Sequence, residues 1–193
     1  MLSPLLLPKN ERTGNSCDCQ FFLDSYTFCR ETDLVPVTAY LSLGSNLGDR
    51  AANLRAALVP LAAAGRLLAV SPFYETQPVD VPDQPWFLNC VAALETEQTP
   101  GELLRTVLRV EAEMGRLRMR DKGPRNIDID VVLFGDAVVE EPGLKIPHPA
   151  MHRRRFVLEP LVEIAPEARH PVLGKTAREL LAELADEQTV RRL

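Results

Sequence analysis

An α+β domain is what the sequence predicts, and three observations predict it. Apolar residues recur at period two in some segments and at helical spacing in others, so strands and helices are both present. These segments run strand, helix, strand, strand, helix, strand, with further helix toward the C-terminus. Of the 193 residues 46% are hydrophobic and 25% charged, ordinary for one globular domain and enough for one sizeable core. That order is ferredoxin-like: a mostly antiparallel four-stranded sheet with helices packed on it.

Residues 1–36 hold no lasting period and read as a poorly ordered N-terminal extension, with at most a short strand near 20–23. The domain itself spans 37–193. Its first strand is the alternating Thr38-Ala39-Tyr40-Leu41-Ser42-Leu43. Gly44-Ser45-Asn46-Leu47-Gly48-Asp49 breaks it and offers a helix start. Ala51, Leu54, Leu58 and Leu61 then line one helical face, and Gly65 ends that helix. A strand over 67–74 follows. Three prolines make 77–85 a loop, and mainly apolar 86–96 is the next strand. Thr99-Pro100-Gly101-Glu102 is a cap followed by a first-turn proline, and the helix turns Leu103, Leu104, Val107, Val110 and Met114 inward. Residues 115–126 form a basic loop, and 127–134 an apolar strand interrupted by two aspartates. Gly135-Asp136 turns the chain, so that Val138-Val139 can pair back. The end holds an apolar segment at 156–164 and a helix over 176–185.

The formal net charge of −5 excludes a general polyanion binder, so any phosphate site must come from local clusters of Lys and Arg. No apolar run reaches the roughly 18 residues of a membrane span. The start, Met1 to Pro8, lacks a basic segment and carries two prolines, which suits a signal peptide poorly. Cys17, Cys19 and Cys29 could suggest a metal or redox site, but tetrahedral zinc wants four ligands and the nearest histidine is His148. Free thiols in a cytoplasmic protein are the expectation, for Cys90 as well.

Chemistry concentrates in four places. On a strand, Asp128 and Asp130 share one face while Ile127, Ile129 and Val131 share the other. Two carboxylates beside apolar residues repel and lose solvation unless a cation joins them, and their hard oxygens suit magnesium. The plain alternative is an exposed strand end. Arg116, Arg118, Arg120, Lys122 and Arg125 lie just before that strand. A charge run is often only a solvated surface. Beside paired carboxylates it is also what phosphoryl-type transfer needs, and its glycines suggest an arm able to close over nucleotide. His148 lies between two prolines ahead of Arg153, Arg154, Arg155 and Phe156, and alone would pass for a turn histidine. Phe73, Tyr74 and Thr76, then Phe87 and Asn89, offer rings and a side-chain amide for a flat polar heterocycle. No glycine-rich phosphate cradle or serine elbow occurs. An RNA-binding module of the same fold would want exposed aromatics where this strand carries carboxylates.

Taken in order, these clusters resemble 6-hydroxymethyl-7,8-dihydropterin pyrophosphokinase over about residues 38–170. The matching motifs are Leu43-Gly44-Ser45-Asn46-Leu47-Gly48, Phe73-Tyr74-Glu75-Thr76, and Asp83-Gln84-Pro85 with Phe87-Leu88-Asn89. Residues 111–116 follow, then the specific Gly123-Pro124-Arg125-Asn126-Ile127-Asp128-Ile129-Asp130, and Pro147-His148 ahead of Arg154 and Phe156. The resemblance implies attack of the pterin hydroxyl on the β-phosphorus of ATP, with AMP leaving, in tetrahydrofolate synthesis. It implies two magnesium ions on Asp128 and Asp130, with Arg116 and Arg125 stabilising the transferred group. ATP would meet Glu111, Arg118, His148 and Arg154. The pterin would meet Gly44, Thr76, Val79, Phe87, Asn89 and Phe156. A cytoplasmic monomer is implied, acting on small molecules without nucleic acid or membrane.

Overall fold

Alternation along the first strand puts Ala39, Leu41 and Leu43 on one face, and all three are buried. The computed structural model describes residues 35–78, 84–115, 123–185 and 188–193. The elements are β1 (Val37–Ser45), α1 (Arg50–Leu61), β2 (Arg66–Val70), β3 (Tyr74–Thr76), β4 (Phe87–Thr96) and α2 (Pro100–Glu113). After these come β5 (Asp128–Phe134), β6 (Val139–Glu141), β7 (Leu144–Ile146), α3 (Arg155–Ile164), α4 (Ala177–Glu183) and β8 (Val190–Arg192). The short strand considered at 20–23 and three of the cysteines lie outside the described residues.

Local chemistry sets the helix starts. The Asp49 carboxylate accepts the Ala52 N–H at 2.9 Å and so satisfies one of the orphan donors of α1. Thr99 and Glu102 form a reciprocal capping box at the start of α2, with Pro100 leading the helix as the sequence indicated.

The sheet order is β5-β1-β4-β3-β8, with β2 also paired to β4, and every pairing is antiparallel. Strands β2 and β3 occupy successive lengths of the same β4 edge, so the four-position ferredoxin-like sheet is present with its fourth position split. The sequence indicated one strand over 67–74. The break falls at Ser71-Pro72-Phe73, where Pro72 has no N–H to give a ladder and Ser71 instead exchanges hydrogen bonds with Val91. A further strand, β8, extends the sheet beyond the four expected. Val139 does not pair back on β5. It joins a separate two-stranded ribbon, β6-β7, pairing with Ile146.

Helices α1 and α2 cover one face of the sheet over Leu41, Leu43, Leu54, Leu94, Leu103, Val107 and Ile129. Helices α3 and α4 cover part of the other over Val91, Val132, Leu133, Leu158 and Leu161. The β1–β5 register skips Val132, setting Tyr40 opposite Leu133 and Leu41 opposite Val131. This bulge turns Val131 to one core and both Val132 and Leu133 to the other, so the strand is covered on both sides. The start of β5 lies beyond α3, and there no described helix packs on the second face.

Candidate active site

On that second face Asp128 lies opposite Gly44 and Asp130 opposite Ser42. Gly44 is in register with Asn89 on its other side, so Asp128, Gly44 and Asn89 form a row across three strands. A Cβ on Gly44 would stand 2.6 Å from Asn89 Oδ1, so only hydrogen there leaves room for the amide. Asn89 Nδ2 donates to Thr76 Oγ1 at 2.6 Å, and both residues are buried. The result is a fixed polar floor of one amide and one hydroxyl.

Aromatic rings and arginines wall the pocket. The Arg125 guanidinium is paired with Asp128 at 2.6 Å and lies 5.5 Å from the centre of the Phe87 ring. Its Nε is buried with no hydrogen-bond partner among the described residues, a donor left over for a ligand. Arg154, which ends a 3-10 turn just before α3, lies 5.5 Å from the centre of the Phe156 ring. Ser42, Gln77, Pro78, Gln84 and Gln188 complete the lining.

Burial is the main force raising the Asp130 carboxyl above its ordinary value, and Asp128 adds to it. His148, Arg154 and Arg125 pull the other way. Such a pair favours a cation between its members. Among the described residues no group of three or more His, Cys, Asp or Glu surrounds a common point. A metal held here would therefore complete its shell with ligand or solvent oxygens, which is the habit of magnesium. His148 follows β7, and its N–H donates to Val132 O at 2.9 Å. Burial holds its imidazole below the usual range, against the pull of Asp130. Its Nδ1 accepts the Ala150 N–H at 3.2 Å, which leaves the ring proton on Nε2, free to donate to an anion.

Nine of the residues singled out in the sequence therefore line one pocket: Gly44, Thr76, Phe87, Asn89, Arg125, Asp128, Asp130, Arg154 and Phe156. His148 stands beside it, within electrostatic reach of Asp130. Glu111 is not in the lining. It is buried on α2, and its Oε1 accepts the Ile129 N–H at 2.8 Å. Val79, Arg116 and Arg118 lie outside the described residues. Cys90 is buried among apolar side chains, which pushes its thiol up to about 12.

Asn46 carries a role that the motif reading left unassigned. Its side chain accepts the Arg125 N–H at 2.8 Å, and its own N–H donates to Arg125 O at 3.1 Å. Its Nδ2 reaches Gln84 Oε1 and Pro85 O at 3.4 and 3.3 Å. One buried amide thus ties the end of the basic loop to the start of β4. Its place between two motif glycines was the available signal. Gln188, whose Nε2 donates to Gln77 O at 2.8 Å, gave none, because nothing around it in the sequence is periodic.

A family model described as 7,8-dihydro-6-hydroxymethylpterin-pyrophosphokinase matches residues 40–166. A Methylorubrum extorquens protein named 2-amino-4-hydroxy-6-hydroxymethyldihydropteridine pyrophosphokinase is 49% identical over 148 residues, covering 76% of this chain and 92% of that one. A Haemophilus influenzae protein of the same name is 39% identical, covering 80% and 98%. The folic acid synthesis protein fol1 of Schizosaccharomyces pombe is 45% identical, and there the match spans only 20% of the longer protein. Among solved structures, wild-type Plasmodium falciparum HPPK-DHPS with pteroate superposes with a TM-score of 0.62 at 17% identity, covering 77% of this chain and 44% of that one. That last likeness concerns the fold.

Proposed function

Because the chain belongs to the 7,8-dihydro-6-hydroxymethylpterin-pyrophosphokinase family, we propose that this pocket transfers pyrophosphate from ATP to 6-hydroxymethyl-7,8-dihydropterin in folate synthesis. The observation that carries this reading is the shared face. Paired carboxylates, two arginines, two aromatic rings and an amide–hydroxyl floor meet in one pocket. The pterin hydroxyl oxygen forms a bond to the β-phosphorus of ATP, and the bond from that phosphorus to the α–β bridging oxygen breaks. AMP leaves with the bonding electrons, and the hydroxyl proton passes to solvent.

Phe87 and Phe156 give the pterin ring its apolar faces, and Asn89 and Thr76 present donor and acceptor atoms to its edge. Gly44 keeps that edge open, and Val79 belongs to the same pterin site. Asp128 and Asp130 would hold two magnesium ions, whose chemistry here is to draw charge from the non-bridging phosphate oxygens. Arg125 exchanges Asp128 for the transferring group as negative charge builds on it, and Arg116 joins it there. His148 through Nε2, together with Arg154 and Arg118, meets the phosphates of ATP. The working unit is residues 37–193, acting as a monomer. Its compartment is the cytoplasm, and no described helix is long and apolar enough to cross a membrane.

The test is AMP formation from ATP with magnesium and 6-hydroxymethyl-7,8-dihydropterin. AMP and the pterin diphosphate are expected in equal amounts. AMP release that ignores the pterin, or no release at all, would overturn the proposal.

A further inference from the structure

Strand β5 ends the sheet order on its side, so among the described residues no strand pairs with its outer edge. Ile129 sits on that edge and is buried, and a buried backbone N–H needs an acceptor. It finds one in Glu111 Oε1 at 2.8 Å. The rest of the buried face of α2 is Leu103, Thr106, Val107 and Val110, so a carboxyl group there is not explained by packing. The peptide unit it holds joins Asp128 to Ile129, and Asp130 follows directly. This hydrogen bond therefore holds from the outer edge the backbone that β1 pairs from the other side, and both pocket carboxylates project from it.

We propose that Glu111 is a positioning residue of the metal site, acting through the Ile129 N–H and not by touching ATP. This rests on the pyrophosphokinase reading of the pocket, and it replaces the nucleotide contact that the family resemblance suggested for Glu111. Groups that orient metal ligands from behind usually change metal affinity by about 10- to 100-fold when removed.

The test uses the full chain as wild type, Glu111→Gln and Glu111→Ala, with thermal melts to identify the folded variants. Three quantities are read: exchange of the Ile129 amide by NMR, Mn2+ affinity in the presence of a non-hydrolysable ATP analogue, and affinity for that analogue in EDTA. In Glu111→Ala, loss of Ile129 protection is expected together with a Mn2+ affinity about tenfold or more weaker. Metal-free analogue affinity is expected to stay within twofold. Glu111→Gln retains an oxygen acceptor, and its metal affinity is expected to follow its Ile129 protection, whichever way that goes. Where Glu111→Ala does not fold, Glu111→Gln decides alone. A folded variant in which protection and metal affinity part company overturns the proposal, as does a folded alanine variant that keeps both. So does a metal-free analogue affinity that falls as far as the metal affinity does. Wild-type protein that binds no Mn2+ beside the analogue would instead overturn the functional reading on which this one rests.

Discussion

Gly44 shows how one side chain, or its lack, sets the chemistry of a pocket. The sequence marked it as a place of close approach within a glycine-rich motif. It could not show that the neighbour is the Asn89 amide, since that pairing depends on the β1–β4 register. In Gly44→Ala the new methyl group displaces Asn89 Oδ1 and disturbs the Asn89–Thr76 bond. The expected result is a KM for the pterin raised about tenfold, equivalent to ~1.4 kcal/mol, with ATP-analogue affinity within twofold. Equal losses for both substrates would contradict the division of the pocket. Asp128 and Asp130 were legible because residues two apart on a strand must share a face. The role of Asn46 was not, because it depends on a contact between residues 79 positions apart.

Among the elements, helix starts were the easiest to read, since a cap and its partner lie within four residues of each other, as Thr99 and Glu102 do. Strand ends were harder. The break at Pro72 and the three-residue β8 depend on which edge of β4 and β3 remains free, and no local pattern records that. Gly65 lies where the chain passes from α1 to β2, and a Cβ there would stand 2.2 Å from the Glu95 carbonyl oxygen. Backbone cannot yield as a side chain tip can, so Gly65→Ala is expected to cost roughly 1–3 kcal/mol in denaturant unfolding. A neutral result would place the two backbones farther apart. Around α4 and the 3-10 turn, the rings of His152 and His170 meet edge to face at 6.0 Å. Burial holds both imidazoles below the usual range, with Arg153 adding to the effect on His152 and His152 to that on His170. Lys175 and Glu183, paired with each other, line a groove with His152. The unfolded chain then binds more protons than the folded one as pH falls through about 6.5, so stability falls with it. The melting temperature is expected to drop between pH 7.5 and 5.5, and to drop less in His152→Gln/His170→Gln. An unchanged slope in that double variant would exclude the pair as the cause.

Across the whole molecule, the two faces of one sheet divide the labour. Helices α1 and α2 seal one face into the main core, while α3 and α4 cover only part of the other. What they leave open is the start of β5, the end of β1 and the start of β4, which is where the carboxylates, Gly44, Phe87 and Asn89 lie. The ferredoxin-like order was legible because strand and helix periods alternate along the chain. The second helical layer and the closing of the pocket rim by Gln188 were not, since short segments reveal their packing only in three dimensions. The shared pocket face of Asp128 and Asp130 is the feature on which the catalytic reading depends. Single-turnover AMP formation by Asp130→Ala at saturating magnesium tests it directly, beside wild type and with folding checked by a thermal melt. A rate lower by several orders of magnitude in a folded protein is the expected result, since a metal ligand at the reacting centre is gone. A rate within a few-fold of wild type would contradict the assignment of the two aspartates as metal ligands.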